Sequence, residues 1–159
     1  MGDGLKRVLA VGVFDLLHAG HLHYLEQAKL LGDELVVIVA HDDTVRQRKH
    51  EPITLQNMRK KMVEGLKPVD LVHIGNPPGI SMFDILVEIK PDIIALGYDQ
   101  EHAENAIRAG LDERGHQDIE LVRVGGLSED LDGTRKIIDK ILSLQWAQSR
   151  MEEIEDGGE

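Results

Sequence analysis

Cysteine is absent from this chain of 159 residues, and that absence narrows the possible chemistry. Without cysteine the protein has no disulfide bond, no thiolate nucleophile and no cysteine-ligated zinc, which is typical of a cytoplasmic protein. No apolar run approaches the roughly 18 residues that a membrane-spanning helix needs. The first residues carry Asp3, Lys6 and Arg7 before a short apolar run, so the sequence does not predict a secretory signal.

Aromatic residues are also scarce, at 3% of the chain. They are Phe14, Tyr24, Phe83, Tyr98 and Trp146. A ligand site made of several stacked rings is therefore not expected. Outside the first motif described below, only Tyr98 falls in a loop expected to bind ligand, and it could equally pack against the end of the sheet.

Positive charge is in short supply, because the formal net charge is −11. Such a chain is not attracted to nucleic acid or to anionic membranes through its overall field, so we predict neither as a partner. A phosphate ligand would have to be held locally, by helix N-termini, backbone N–H groups and a few placed basic side chains.

The composition and length predict one globular domain. Apolar residues make up 42% of the chain, enough for a real core. We assign residues 1–150 to this domain. Residues 151–159 (MEEIEDGGE) are acidic and end in glycines, and they are predicted to be a disordered tail.

Short apolar runs alternate with helical patterns along the chain. This alternation predicts an α/β fold, a Rossmann-like doubly wound sandwich with a five-stranded parallel sheet. Ligands of such folds bind beyond the carboxyl ends of the strands. The predicted strands are 7–14, 34–40, 71–74, 92–96 and 119–124. The predicted helices are 20–31, 55–66 with Thr54 as N-cap, one ending near Ile89 after a capping-box pattern at Ser81–Asp84, 102–114 and 134–147. Residues 41–52 are predicted to be a loop that could contain one helical turn.

The segment after the first strand, GVFDLLHAGH at 12–21, carries the clearest functional pattern. Gly12 and Gly20 allow a sharp turn or the close approach of a ligand. His18 and His21 are three residues apart and so project from one face of the first helical turn. Two imidazoles over a helix N-terminus form an anion site that could stabilise charge developing on a phosphate oxygen.

Three other readings of the same segment are open. Both histidines could be structural, as polar residues on a strand-to-helix turn often are. Asp15, His18 and His21 could ligate a divalent ion, although no fourth ligand is near, and we assign no metal ligands. A dinucleotide site is disfavoured, because the segment lacks G-x-G-x-x-G.

The segment resembles the G-x-F-D-x-x-H-x-G-H motif of the cytidylyltransferase-like nucleotidyltransferases. The closest resemblance is to the archaeal FAD synthases, and it extends to about residue 142. It rests on GVFDLLHAGHLHYL at 12–25, GDELVVIVAHDDTV at 32–45, LKPVD at 66–70 and KPDIIALGYDQ at 90–100. Glycerol-3-phosphate cytidylyltransferases share the first of these motifs.

The resemblance implies roles for individual residues. His18 and His21 would contact the α- and β-phosphates and act in catalysis. Asp99 would lie near the nucleotide, although an aspartate there could instead be a helix N-cap or turn residue. The whole implied nucleotide-binding set is Gly12, Val13, Phe14, Asp15, His18, Ala19, Gly20, His21 and Asp99.

Further phosphate contacts must come from basic or hydroxyl side chains. Candidates are Lys49 after the second strand, Arg59 on the next helix, and Thr134 with Arg135 at the start of the last helix. Arg46 and Arg48 lie beside Lys49, and the sequence does not say which of the three binds phosphate. The loop before Thr134 departs from the family pattern: Leu127 stands at an arginine position, and two nearby residues are Asp132 and Gly133.

The resemblance therefore implies an adenylyltransferase that moves AMP from ATP to FMN, with Mg²⁺ bound to the triphosphate. Two alternatives are a cytidylyltransferase acting on glycerol 3-phosphate or another small phosphomonoester, and a nucleotide-binding relative without activity. The altered loop weakens the first alternative and favours the second. The resemblance also makes a homodimer plausible, and the location expected is the cytoplasm.

Overall fold

The computed structural model describes residues 4–98, 101–127 and 133–156, with side chains for all of these except 101–102 and 153–156. These ranges contain five strands and six helices. The strands are β1 Arg7–Gly12, β2 Glu34–Val39, β3 Leu71–Ile74, β4 Ile93–Leu96 and β5 Glu120–Arg123. The helices are α1 Ala19–Lys29, α2 Asp42–Arg48, α3 Gln56–Glu64, α4 Leu86–Ile89, α5 Glu101–Glu113 and α6 Thr134–Asp156.

The strands form one parallel sheet in the order β3-β2-β1-β4-β5. This confirms the predicted fold class. The chain leaves β1 toward β2 and β3, and it later returns to place β4 and β5 on the other side of β1. The switch point therefore lies at the carboxyl ends of β1 and β4, where a ligand crevice is expected.

Helices cover both faces of the sheet, as continuous apolar strands require. On one face, Leu25 and Ala28 of α1 and Val63 of α3 are fully buried. On the other face, Leu86 and Ile89 of α4 are buried with Leu111 of α5. No helix in the described ranges is both long and apolar enough to cross a membrane.

The starts of several helices differ from the sequence prediction. At these positions side-chain hydrogen bonds set the boundary, and apolar periodicity does not reveal them. Residues 42–48 form the seven-residue helix α2 in place of a loop, with His41 as its N-cap. The N-cap of α3 is Leu55, since the hydroxyl of Thr54 donates to the Asp15 carboxylate and does not cap the helix. The Ser81–Asp84 segment makes a turn in which the Ser81 hydroxyl accepts from the Phe83 N–H, and α4 follows as one short turn of helix.

The last helix is longer than predicted. It continues past Ala147 to Asp156, and so it includes six residues of the segment expected to be a disordered tail. Gln, Arg, Met and Glu are favourable helix residues, which explains why no stop occurs before the glycines at 157–158.

Candidate active site

The loop after β1 is built around an inward-facing phenylalanine. Phe14 and Leu16 have positive φ angles of 56° and 50°, a conformation uncommon for residues other than glycine. A Cβ atom on Gly12 would lie 2.9 Å from the Phe14 ring. Gly12 is thus needed for the ring to fold back under α1, where it is buried beside His21 and Tyr24.

Both histidines of the motif cap helix α1. Nδ1 of His18 accepts from the backbone N–H groups of Gly20 (3.1 Å) and His21 (3.4 Å). Nδ1 of His21 accepts in return from the His18 N–H at 3.3 Å. This reciprocal arrangement is a capping box in which imidazoles replace the usual hydroxyl and carboxylate. The structural reading of the two histidines is therefore correct for their Nδ1 atoms.

The same hydrogen bonds fix what the rest of each ring can do. A ring nitrogen that accepts from a backbone N–H carries no proton, so a neutral imidazole in this position has its proton on Nε2. The rings stack with centroids 3.7 Å apart. Burial is the main cause that lowers the pKa of His21 to about 4, and the neighbouring His18 and Lys49 side chains act in the same direction. His21 is thus a neutral Nε2–H donor near neutral pH.

Asp15 has a structural role and does not face the ligand site as predicted. Its side chain is buried and accepts from the Ile53 and Thr54 N–H groups (2.6 and 3.0 Å) and from the Thr54 hydroxyl (2.7 Å). Burial raises its pKa, but these hydrogen bonds and the Arg59 charge outweigh that effect and hold the pKa below its usual value. The three-ligand metal arrangement with His18 and His21 is therefore not formed.

Arg59 is the clearest correction among the predicted phosphate contacts. Its guanidinium is fully buried and donates to the Thr54 carbonyl, the Val13 carbonyl and the Asp42 carboxylate at 2.8, 2.8 and 2.6 Å. With its donors engaged inside the protein, Arg59 does not bind a ligand phosphate. Instead it ties α3 to the loop after β1.

A cleft of about 560 Å³ opens beside the histidines, between the loop after β1 and the start of α6, and is called the polar cleft here because imidazole and basic side chains line part of it. It brings together many residues predicted from the sequence. Those that line it are Gly12, Val13, Phe14, His18, Gly20, His21, Lys49 and Arg135. Ala19, Asp15, Arg59 and Thr134 are not among its lining residues. The Thr134 hydroxyl donates to the Asp15 carbonyl and so anchors α6 to the loop, and Asp99 lies outside the described residues.

The cleft also contains residues that the sequence analysis did not assign. Lys136 and His23 line it, as do Gly125 and Gly126 after β5. A Cβ atom on Gly126 would lie 2.4 Å from the Tyr98 ring, so this glycine lets the ring rest on the backbone after β5. Two consecutive glycines directly after a predicted strand are the sequence signal that could have indicated this close approach of the Tyr98 ring to the backbone.

A second, apolar cleft of about 450 Å³ lies on the other side of β1, between the sheet and α5. Aliphatic and aromatic side chains dominate its walls, and the sequence analysis did not foresee it. Representative lining residues are Val11, Ile38, Met82, Phe83, Leu86, Leu96, Ala103 and Ile107.

The two clefts meet along the end of β1 and the loop that follows it. Four residues line both clefts, namely Val11, Gly12, Val13 and Lys49. Lys49 is thus the basic residue after β2 that reaches both. Arg46 is engaged by Asp43 and Glu51, and Arg48 lines only the apolar cleft.

The polar cleft concentrates positive groups in an acidic protein. Among the described residues, Lys49, Arg135 and Lys136 line it together with one carboxylate, that of Asp139. The positive end of the α1 dipole adds to them. In the described part of the chain, no group of three histidine, aspartate or glutamate side chains is placed to hold a metal ion.

Comparison with known families and proteins gives a consistent result. The family model described as cytidylyltransferase-like matches residues 9–126. The chain is 47% identical over 139 residues to a FAD synthase of Aciduliprofundum boonei, covering 87% of this chain and 91% of that protein. It is 48% identical over 138 residues to a FAD synthase of Thermococcus onnurineus, with coverages of 86% and 91%.

Solved structures agree on the architecture. A Thermoplasma volcanium protein described as a lipopolysaccharide core biosynthesis protein is 42% identical, with a TM-score of 0.73. That match covers 79% of this chain and all of the other. Pantothenate synthetase from Thermus thermophilus shares the fold at 14% identity and a TM-score of 0.59, over 79% of this chain and 57% of that one.

Proposed function

The chain belongs to the cytidylyltransferase-like family, and we propose that it is a nucleotidyltransferase that transfers AMP from ATP to FMN, giving FAD and pyrophosphate. The observation that carries the proposal is the pair of clefts, one polar and one apolar, that meet at Gly12, Val13 and Lys49. The FAD synthase relatives, aligned over most of both chains, support the choice of substrates.

The polar cleft suits the triphosphate of ATP. The Nε2–H groups of His18 and His21 donate to phosphate oxygens, while Nδ1 of each ring keeps the ring fixed on α1. Lys49, Arg135 and Lys136 offset the charge of the triphosphate, which arrives as its Mg²⁺ complex with the metal held mainly by phosphate oxygens and water. Tyr98, held against Gly126, offers a ring near the end of β5 for the nucleobase.

The apolar cleft suits the acceptor. Its volume of about 450 Å³ falls in the range of pockets that hold flat, largely apolar ligands. We place the flavin ring there and the FMN phosphate at the junction beside Lys49. A glycerol phosphate would leave these apolar walls open to water, so the cleft favours the flavin over the small phosphomonoester.

The reaction needs no catalytic base. An FMN phosphate oxygen attacks the α-phosphorus of ATP and forms the new P–O bond. The bond from the α-phosphorus to the bridging oxygen of the β-phosphate breaks, and pyrophosphate leaves with its electron pair. Positioning and hydrogen bonds to the developing charge supply the acceleration.

We propose further that the enzyme works in the cytoplasm and that it is a homodimer. Proteinase protection of the native protein inside sealed vesicles would contradict the first point.

Pyrophosphate release with purified protein and Mg²⁺ tests the activity. ATP and CTP are each paired with FMN, glycerol 3-phosphate and riboflavin. We expect release only with ATP and FMN, together with FAD resolved by chromatography. Release with CTP and glycerol 3-phosphate would replace the proposal with the cytidylyltransferase alternative. ATP binding without release from any pair would assign the chain to the inactive relatives.

A further inference from the structure

The polar side chains of the apolar cleft all come from one wall. Among the described residues they are Thr44, Arg48 and Lys49, which belong to α2 or form its C-cap. The other lining residues, from the sheet, the loop after β1, the segment around α4 and helix α5, are apolar or glycine. A ligand that matches this cleft therefore has one polar edge and one apolar edge.

Helix α2 presents these polar groups in a fixed order. Val45 is buried against the core and so sets the rotation of the helix. Thr44 and Arg48 are four residues apart and lie on the same side of α2. Lys49 follows directly, and its N–H donates to the Val45 carbonyl at 2.9 Å. The order along this wall is thus hydroxyl, guanidinium and ammonium.

Arg48 differs from the other arginine of α2 in having no protein partner to explain its place. Arg46 pairs with the carboxylates of Asp43 and Glu51 at 2.8 and 2.9 Å. Within the described part of the chain, Arg48 makes no hydrogen bond and no ion pair. Its side chain is exposed at the cleft, so its five N–H donors can bind a ligand without breaking a contact to these residues.

The isoalloxazine ring of a flavin has two edges of the matching kind. Its dimethylbenzene end is apolar, and its pyrimidine end carries N1 and two carbonyl oxygens, on C2 and C4, as acceptors, with N3–H between the carbonyls as a donor. The ribityl chain leaves from N10, beside N1, and ends in the phosphate of FMN. With the phosphate at Lys49, a pyrimidine end that follows α2 brings N1 and the C2 carbonyl to Arg48. N3–H then faces Thr44, whose hydroxyl donates to the Asn76 carbonyl at 3.4 Å and can still accept.

We propose that Arg48 is a specificity-determining residue that donates to N1 and to the C2 carbonyl oxygen of the flavin, with Thr44 accepting from N3–H. This inference rests on the proposed function, since it assigns contacts to the FMN of that reaction. It gives the two neighbouring basic residues different roles. Arg48 recognises the ring, and Lys49 binds the phosphate.

Titration of FMN against the full chain, followed by flavin fluorescence, measures the contribution of Arg48. Arg48→Met should raise Kd for FMN by about tenfold, as for the loss of a hydrogen bond from a charged donor. Arg46→Met is the matched control, because it removes the same charge from the same helix at a position that does not line the cleft. It should leave Kd within about twofold of the native value. Equal effects of the two variants would mean that only charge matters and would overturn the proposal.

NMR of FMN labelled with ¹³C at C2, with each variant saturated, identifies the atoms that Arg48 contacts. A hydrogen bond to the oxygen polarises the C2 carbonyl. Arg48→Met should therefore move the C2 resonance to lower frequency than in the native complex and leave the ³¹P resonance in place. Lys49→Met should do the reverse. Movement of the ³¹P resonance alone in Arg48→Met would make Arg48 a phosphate ligand and overturn the proposal.

The same measurements separate this inference from the proposed function. A native protein that produces FAD, with Kd and the C2 resonance unchanged in Arg48→Met, would overturn the inference alone. A native protein that neither binds FMN nor releases pyrophosphate from ATP and FMN would overturn both.

Discussion

We assign each histidine of the motif two tasks, with a different nitrogen atom for each. Nδ1 satisfies backbone N–H groups that would otherwise be unpaired at the start of α1. Nε2 carries the proton of the neutral ring, and we propose that it donates to a phosphate oxygen. Capping and ligand binding are therefore not competing explanations for these residues.

Asparagine at position 18 separates the two tasks, because its side-chain oxygen can take the place of Nδ1 while Nε2–H is lost. We expect His18→Asn to keep thermal stability near that of the native protein and to lower kcat by about 10²–10³. His18→Ala should lose similar activity and also about 1 kcal/mol of stability, as for a lost N-cap. Turnover of His18→Asn near the native rate would remove the catalytic role.

His21 makes a prediction about pH. Its pKa falls from 6.5 to about 4 on folding, mainly through burial. Above pH 6.5 the ring is neutral in the folded and unfolded states. Between pH 6.5 and about 4 the unfolded chain takes up a proton that the folded protein does not, so stability falls as the pH falls through this window.

The ring nitrogens of His21 can be followed by NMR in the ligand-free protein. We expect the neutral form with the proton on Nε2 down to about pH 5. The loss of stability between pH 7 and pH 4.5, measured by urea unfolding, should be smaller in His21→Asn. A ring that titrates near pH 6.5 would contradict the assignment.

At the scale of elements, a buried polar network holds the loop after β1 in place. Arg59 joins the Val13 carbonyl to Asp42, and Asp15 holds the backbone at 53–54. The loop includes two non-glycine residues with positive φ, a conformation that persists only when its surroundings impose it. Arg59 and Asp15 therefore hold the loop that lines the polar cleft, although neither side chain is among the lining residues.

Removing Arg59 tests this network. Arg59→Met removes the ion-pair partner of Asp42 and should lower the free energy of unfolding by about 3–5 kcal/mol, as for a broken buried pair. Arg59→Met combined with Asp42→Asn should recover part of that loss. Lys60→Met breaks only the exposed pair with Glu64 and should change stability by less than about 1 kcal/mol. Urea unfolding measures all three, and an equal small effect at positions 59 and 60 would contradict the network.

At the scale of the whole molecule, the order of the strands creates the two clefts. Because β4 and β5 lie on the opposite side of β1 from β2 and β3, the carboxyl end of β1 faces a cleft on each face of the sheet. Two substrates can thus approach one loop from opposite faces. This separation predicts that substitutions in one cleft affect one substrate.

Ala103 lines the apolar cleft from α5 and provides that test. Ala103→Phe should fill part of the cleft and raise KM for FMN by about tenfold, a cost of about 1.4 kcal/mol, with KM for ATP within about twofold of the native value. Ala109→Phe, on an exposed position of the same helix, is the control and should change neither. A larger effect of Ala103→Phe on ATP than on FMN would reverse the assignment of the clefts.

Local sequence determined most of the architecture, because it depends on interactions between near neighbours. Continuous apolar runs predicted all five strands as parallel and buried, and the His18 and His21 spacing predicted one helix face at the site. At α2 the pattern predicted only a loop with one possible helical turn, because its mostly polar residues show little apolar periodicity. It failed beyond Ala147, where α6 continues without an apolar core to reveal it.

Only the tertiary structure decided which polar residues face a ligand. Arg59 and Lys49 are both basic residues near the site in sequence, yet one is fully buried among carbonyl groups and a carboxylate, and the other reaches both clefts. Asp15 likewise turns inward to residues about 38 positions away. The apolar cleft combines strands and helices spread from residue 9 to 107. Such partners are set by the packing of distant segments, which residue type and spacing do not encode.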